Sequence, residues 1–218
     1  MNRDELASRI DATLVQTNHD ISQINELIEV ARKYRFACCF TLPCYSSYVK
    51  EQLKGTGVHT GIPVGFPSGG ETTEAKCFQA EEAVRLQVEE VDMVINVGWL
   101  LSGFDGKVTD EIRRIKDIVG ERPLKCIIEA SLYTKDQIKR ASLCVLKGGA
   151  DYVKTGTGWL APASLEHVRV IRQTVGDELY IKAAGGIRTF ENAAAFLEAG
   201  VYRLGIGVKS AVNILENM

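Results

Sequence analysis

The sequence predicts a compact α/β fold, a (β/α)8 TIM barrel forming a single domain over residues 1–218. Three observations lead there. Eight short, β-rich apolar segments recur at regular spacing: Ile10–Val15, Phe36–Phe40, Val58–Val64, Val91–Val97, Leu124–Glu129, Tyr152–Thr155, Leu179–Ala184 and Tyr202–Ile206. Most stretches between them carry a helical period. Strands such as Val91–Val97 read as apolar on both faces, the pattern of parallel strands covered by helices. A chain of this length lies near the lower end for such a barrel, with little room for long loop insertions. A doubly wound open sheet is the competing architecture; against it, no G-x-G-x-x-G turn follows the first strand.

The elements follow in order. After the first strand, Ile21, Ile24, Leu27, Ile28 and Ala31 line one helical face. Ala75, Phe78, Ala80, Ala83, Val84 and Leu86 mark a helix between the third and fourth strands. Ile112, Ile115, Ile118 and Val119 mark the next. Thr189 is placed to N-cap a helix over Phe190–Ala199, with Gly200 just past its end. No linker or second domain interrupts the pattern.

Composition narrows the function. Hydrophobic residues make up 45% of the chain, and 26 basic against 28 acidic residues are well mixed, for a net charge of −2. No basic stripe points to nucleic acid, and no apolar run has a membrane-spanning length. The N-terminus lacks the apolar core of a signal peptide, and the six cysteines show no C-x-x-C spacing, which fits a reducing cytoplasm. Cys39 or Cys44 could be a nucleophile, but small buried hydrophobes are the commoner role. His19, His59 and His167 stand in no ligand pattern, so neither a metal nor a cofactor is expected.

Two lysines inside apolar strands carry the functional signal. Lys154 lies in Asp151-Tyr152-Val153-Lys154-Thr155-Gly156-Thr157-Gly158, and Lys182 in Ile181-Lys182-Ala183-Ala184-Gly185-Gly186. Desolvation and a neighbouring cation both favour the neutral amine, the form that attacks a carbonyl. Ion pairing with a carboxylate is the plainer explanation of one strand lysine. Two of them on adjacent strands, each followed by a Gly-rich turn, favour catalysis. Asp92, on the fourth strand with Asn96, can reach the same space; Lys125 and Glu129 lie on the fifth. Gly185-Gly186-Ile187-Arg188 and Gly205-Ile206-Gly207 follow the seventh and eighth strands, the frequent phosphate site of these barrels. Tight-turn geometry without a ligand also accounts for either motif alone.

At these residues the sequence resembles the deoxyribose-phosphate aldolases, class I enzymes working through a lysine Schiff base. The resemblance runs through nearly the whole chain. It is strongest in Val91–Gly98, Leu124–Glu129, Gly149–Gly158 and Lys182–Thr189, with Gly65–Gly69 and Thr72–Lys76 in support. It implies Lys154 as the Schiff-base lysine, Lys182 as a second essential lysine, Asp92 as a proton relay, and Lys125 at the pocket border. Thr155, Gly158, Gly185, Gly186, Gly205 and Gly207 are, with Lys125, the expected substrate-binding positions. The implied reaction is reversible cleavage of 2-deoxy-D-ribose 5-phosphate to acetaldehyde and D-glyceraldehyde 3-phosphate, in a homo-oligomer, often a dimer. Three departures bear on the acceptor side: Gly207 and Val208 replace a serine pair, with Lys209 and Ser210 one step later; Ala12 replaces a histidine; Phe40 replaces a cysteine, with Cys39 beside it. A Schiff-base aldolase for a different or unphosphorylated aldehyde, a non-covalent phosphosugar barrel such as an isomerase, and a non-catalytic scaffold remain as alternatives.

Overall fold

The computed structural model describes residues 1–218. Eight parallel strands pair in sequence order and close β1 onto β8. They are β1 (Ile10–Leu14), β2 (Cys38–Thr41), β3 (His59–Val64), β4 (Glu90–Val94), β5 (Leu124–Ile127), β6 (Tyr152–Lys154), β7 (Tyr180–Ala184) and β8 (Arg203–Gly207). The helices are α1 (Arg3–Ala7), α2 (Ile21–Tyr34), α3 (Pro43–Leu53), α4 (Thr73–Arg85), α5 (Val97–Leu101), α6 (Asp105–Val119), α7 (Lys135–Lys147), α8 (Leu165–Val175), α9 (Phe190–Glu198) and α10 (Val208–Glu216). No helix is long and apolar enough to cross a membrane.

Local chemistry sets the helix starts. Asn2 with Glu5, Asp20 with Gln23 and Thr134 with Gln137 form capping boxes on α1, α2 and α7. Pro43 opens α3, where its missing N–H costs nothing. Thr189 caps α9 through the Asn192 amide. The fourth crossover holds two helices rather than one, because the Asn96 side chain leaves the strand line and caps α5 at the Trp99 amide. Asn96 is therefore not a strand residue. Glu129 also lies beyond its strand: it takes a left-handed conformation at φ 51° and accepts a hydrogen bond from the Thr157 amide.

The alternation along the strands separates two interiors. Val91, Met93, Cys126, Val153, Ile181, Ala183, Leu204 and Ile206 belong to one apolar core that includes the helices. The other strand face, inside the barrel, carries Asp11, Phe40, Glu90, Asp92, Lys125, Lys154, Lys182 and Arg203, tied together by ion pairs and ring contacts. The reading of β4 as apolar on both faces is thus half right. Burial is complete on both sides, but the inner side is charged. On α4 the expected buried Phe78 is 68% exposed, and Lys76 turns inward with Ala80 and Ala83. Its ammonium is satisfied by the Gly69 and Val94 carbonyls and Glu111 Oε2 at 2.8, 3.0 and 2.8 Å.

Candidate active site

Register places Lys154 beside Lys182 on β6 and β7, and Asp92 beside Lys125 on β4 and β5. The two lysines converge on one atom: Lys154 Nζ and Lys182 Nζ each donate to Asp92 Oδ2 at 2.7 Å. Lys125 Nζ approaches Asp92 Oδ1 at 3.4 Å and pairs with Glu90. Lys182 also meets Asp11 Oδ2 at 2.6 Å, and Arg203 bridges Asp11 Oδ1 at 2.8 Å and Glu90 Oε1 at 3.5 Å. Glu90 continues to the half-exposed His59 ring at the N-terminal rim.

Three carboxylates, Asp11, Glu90 and Asp92, thus face Lys125, Lys182 and Arg203 one for one. Lys154 is the surplus cation, and its ionisation reflects that. Burial pushes its amine down most; the Asp92 carboxylate pulls it back up, and the Lys182 and Lys125 ammoniums repel a further proton, leaving it at about 8. Asp92 goes the other way. Burial opposes its charge, but Lys154, Lys182 and Lys125 outweigh burial and hold it well below the usual carboxylate range. Burial likewise opposes the Lys125 charge, and Asp92, Asp11 and Glu90 outweigh it and raise its pKa.

A cavity of about 390 Å³ opens above this cluster at the C-terminal end of the strands. Lys154 and Asp92 line it; so do Gly158, Gly185, Gly186, Gly205 and Gly207. Lys125, Lys182 and Thr155 do not. Lys125 and Lys182 lie beneath the cavity, their side chains fully buried, whereas 7% of the Lys154 side chain remains exposed. Thr155 faces the outer side of β6, where its hydroxyl accepts the Ala184 amide. Direct substrate contact by Lys125 or Thr155 therefore does not fit their positions. Alternation on a strand sends Thr155 opposite to Lys154, and Lys125 is a layer too deep.

The glycines divide by cause. A Cβ on Gly205 would stand 2.9 Å from Ala184 Cβ and 3.3 Å from Lys182 Cε, so this glycine makes room for the buried lysine. Gly207 has open space around it and precedes α10, whose first residues, Val208, Lys209 and Ser210, line the cavity. The helix start has no side-chain cap, so its free N–H groups and dipole face the opening. Arg188 and Lys209 stand exposed at the same end.

Asp11, Glu90 and Arg203 escaped the sequence reading. Asp11 and Arg203 sit inside the apolar segments Ile10–Val15 and Tyr202–Ile206, and Glu90 borders Val91–Val97, the same signal that marks Lys154, Lys182 and Asp92. The donor atoms of Asp11, Cys38 and Glu90 come within 4.8 Å of one another. Both carboxylates already meet cationic side chains, and burial pushes the Cys38 thiol far up, so the trio is not arranged as a ligand set.

The geometry has counterparts among known proteins. The model of the DeoC/LacD aldolase family matches residues 6–216. The chain is 40% identical over 208 residues to the deoxyribose-phosphate aldolase of Streptococcus equi subsp. zooepidemicus, covering 95% of this chain and 94% of that one. Identity to the Geobacillus sp. deoxyribose-phosphate aldolase is 41% over 213 residues, with 97% and 95% covered. The tetrameric deoxyribose phosphate aldolase of Aeropyrum pernix superposes with a TM-score of 0.89 at 27% identity, covering 99% of this chain and 92% of that one. The closed barrel, the lysines gathered on one carboxylate and these relatives together place the chain in the DeoC/LacD family of aldolases.

Proposed function

We propose that the protein cleaves 2-deoxy-D-ribose 5-phosphate reversibly to acetaldehyde and D-glyceraldehyde 3-phosphate through an imine on Lys154. One observation carries the assignment of the nucleophile: of the three lysines around Asp92, Lys154 alone reaches the cavity, and its amine is shifted down to about 8. The neutral nitrogen adds to the C1 aldehyde, and the carbinolamine loses water to give an iminium ion. A base takes the 3-hydroxyl proton and the C2–C3 bond breaks. Its electron pair passes to the iminium nitrogen, leaving an enamine and glyceraldehyde 3-phosphate. A proton returns to C2, and water hydrolyses the imine to acetaldehyde and free Lys154. Asp92 Oδ2, shared by Lys154 and Lys182, offers a path by which protons leave and re-enter the reacting centre.

The phosphate is read at the start of α10 and the Gly185-Gly186 turn, with Arg188 and Lys209 as charge partners. The Gly207-Val208 pair, offering no hydroxyl, favours as second reading an aldehyde acceptor without a phosphate. The working protein is taken to be a cytoplasmic homo-oligomer, in its simplest form a dimer; the tetrameric Aeropyrum relative supports assembly, and light scattering measures the order.

Assaying 2-deoxyribose 5-phosphate beside 2-deoxyribose tests both readings. Turnover of the phosphorylated sugar with trapping by acetaldehyde and borohydride on Lys154 is the expected result. A label on Lys182 or Lys125 instead would reassign the nucleophile. Preference for the unphosphorylated sugar would give the second reading precedence, and no label at all would end the imine mechanism.

A further inference from the structure

Glu129 is a buried carboxylate that the proposed chemistry leaves without a task. It is 4% exposed, follows β5 and does not line the cavity. Its left-handed backbone, at φ 51°, is a conformation that a residue other than glycine keeps only where its surroundings impose it. We infer that Glu129 is a positioning residue for the substrate phosphate: it fixes the turn after β6, and that turn shapes the Gly185-Gly186 turn after β7. This rests on the phosphate reading above and adds to it the side chain that keeps the phosphate turn in shape.

The turn after β6 is tied to Glu129 through main chain and side chain together. The Ile128 and Ala130 amides, on either side of Glu129, donate to the Lys154 and Thr155 carbonyls at 3.0 and 2.8 Å. Glu129 Oε1 accepts the Thr157 amide. A Cβ on Gly156 would fall 3.0 Å from the same oxygen, so the carboxylate lies against the backbone of the turn. Glu129 also borders a void of about 10 Å³ that it shares with Gly156, Ala161, Pro162 and Ala163. Thr157 and Gly158 line the large cavity, so the turn that Glu129 holds is itself cavity wall.

The same stretch decides the shape of the phosphate turn. Gly185 and Gly186 have φ of 103° and 72°. A Cβ on Gly185 would stand 2.9 Å from the Ala161 carbonyl oxygen and 3.1 Å from Gly158 Cα, and one on Gly186 would stand 2.7 Å from Pro162 Cβ. The Gly185 carbonyl accepts the Ala163 amide at 2.9 Å. The two turns therefore pack closely, and neither glycine has a side chain to absorb a shift. If the turn after β6 moves, Gly185 and Gly186 move with it, and their hydrogen bonds to an anion weaken with distance and angle. Lys154 is anchored independently, by its β5 and β7 neighbours and by Asp92.

The test is steady-state kinetics on 2-deoxyribose 5-phosphate and 2-deoxyribose, with wild type, Glu129→Ala, Glu129→Gly and Glu129→Gln. Alanine and glycine both delete the acceptor. Glycine also relieves the left-handed backbone, so the test stands even if the alanine variant fails to fold. Both should raise KM for the phosphorylated sugar by roughly tenfold or more, within the hundredfold that a misplacement of about 1 Å can cost, with a much smaller fall in kcat. For 2-deoxyribose kcat/KM should change little, because no phosphate contact is at stake. Glutamine keeps an acceptor oxygen and should recover most of the loss. The acidic limb of kcat/KM should stay in place, because burial, Asp92, Lys182 and Lys125 set the Lys154 amine. An unchanged KM in Glu129→Gly, a glutamine variant as impaired as the alanine one, an equal loss on both sugars or a displaced limb would overturn the positioning role while leaving the phosphate reading intact. A wild type without preference for the phosphorylated sugar would instead remove the phosphate reading itself, and this inference with it.

Discussion

Lys154 and Lys182 are register partners on neighbouring strands, and their ammonium nitrogens meet the same oxygen of Asp92 at equal distance, 2.7 Å. The arrangement binds opposed effects into one site. Asp92 stabilises charge on Lys154, whereas Lys182, held by the same carboxylate, destabilises it. Only Lys154 is open to the cavity, so only there does the balance act on a group that a bound molecule can reach.

Lys182→Leu should move the ionisation of Lys154 upward. Losing a repelling cation lets the amine rise from about 8 toward its ordinary value. Each unit costs about tenfold in free amine at neutral pH. The acidic limb of kcat/KM should shift to higher pH, with kcat/KM at pH 7 at least about tenfold lower. An unmoved limb with near-normal rate would reduce Lys182 to a packing residue.

Asp92→Asn should shift the limb in the opposite sense. The carboxylate raises the Lys154 pKa, so its loss lowers the limb. Turnover should nonetheless fall by about 10²- to 10⁴-fold, the usual worth of a lost proton path. Slow turnover with a limb displaced downward separates this variant from Lys182→Leu; a limb displaced upward would contradict the charge balance described above.

Lys154→Met should stabilise the protein at neutral pH while abolishing imine trapping. The folded value of about 8 lies below the unfolded value of ~10.4. Below pH 8 the native state holds an unfavourable proton. Between pH 8 and about 10.4 it has shed that proton while the unfolded chain keeps it, so this contribution to stability rises with pH. Methionine removes the cost, a few kcal/mol at about 1.4 per unit. Thermal denaturation at pH 7 should show a Tm several degrees higher, at about 2–4 °C per kcal/mol for a chain of this size. The gap to wild type should narrow toward pH 10; an equal or lower Tm at pH 7 would argue against a surplus charge.

Lys76→Ala should destabilise far more than a typical helix substitution. It strands the buried Glu111 carboxylate and frees the Gly69 and Val94 carbonyls. Breaking such a pair costs about 3–5 kcal/mol. The double variant Lys76→Met/Glu111→Leu should recover most of that loss in urea denaturation. No recovery would mean that the carbonyl contacts, rather than the ion pair, carry the effect.

The sequence by itself determined the fold class and the strands that carry the buried lysines. Apolar runs at regular spacing specify parallel strands under helices, and a lysine in such a run is anomalous in one dimension. That was enough to single out Lys154, Lys182 and Asp92. It was not enough to separate Lys154 from Lys182 and Lys125 by depth, or to see that Thr155 turns away. The period of two groups residues by face, but when both faces are buried it does not say which face points into the barrel. Closure of β1 onto β8 decides that. The same closure brings Asp11 and Arg203, far apart in sequence, to 2.8 Å. Lys76 and Phe78 show the limit on a helix: residue type favoured burying the phenylalanine, but the Glu111 carboxylate and two free carbonyls at one spot turned the lysine inward instead. Pairings across that much chain leave no periodic trace, because they depend on which surfaces meet and not on any local propensity.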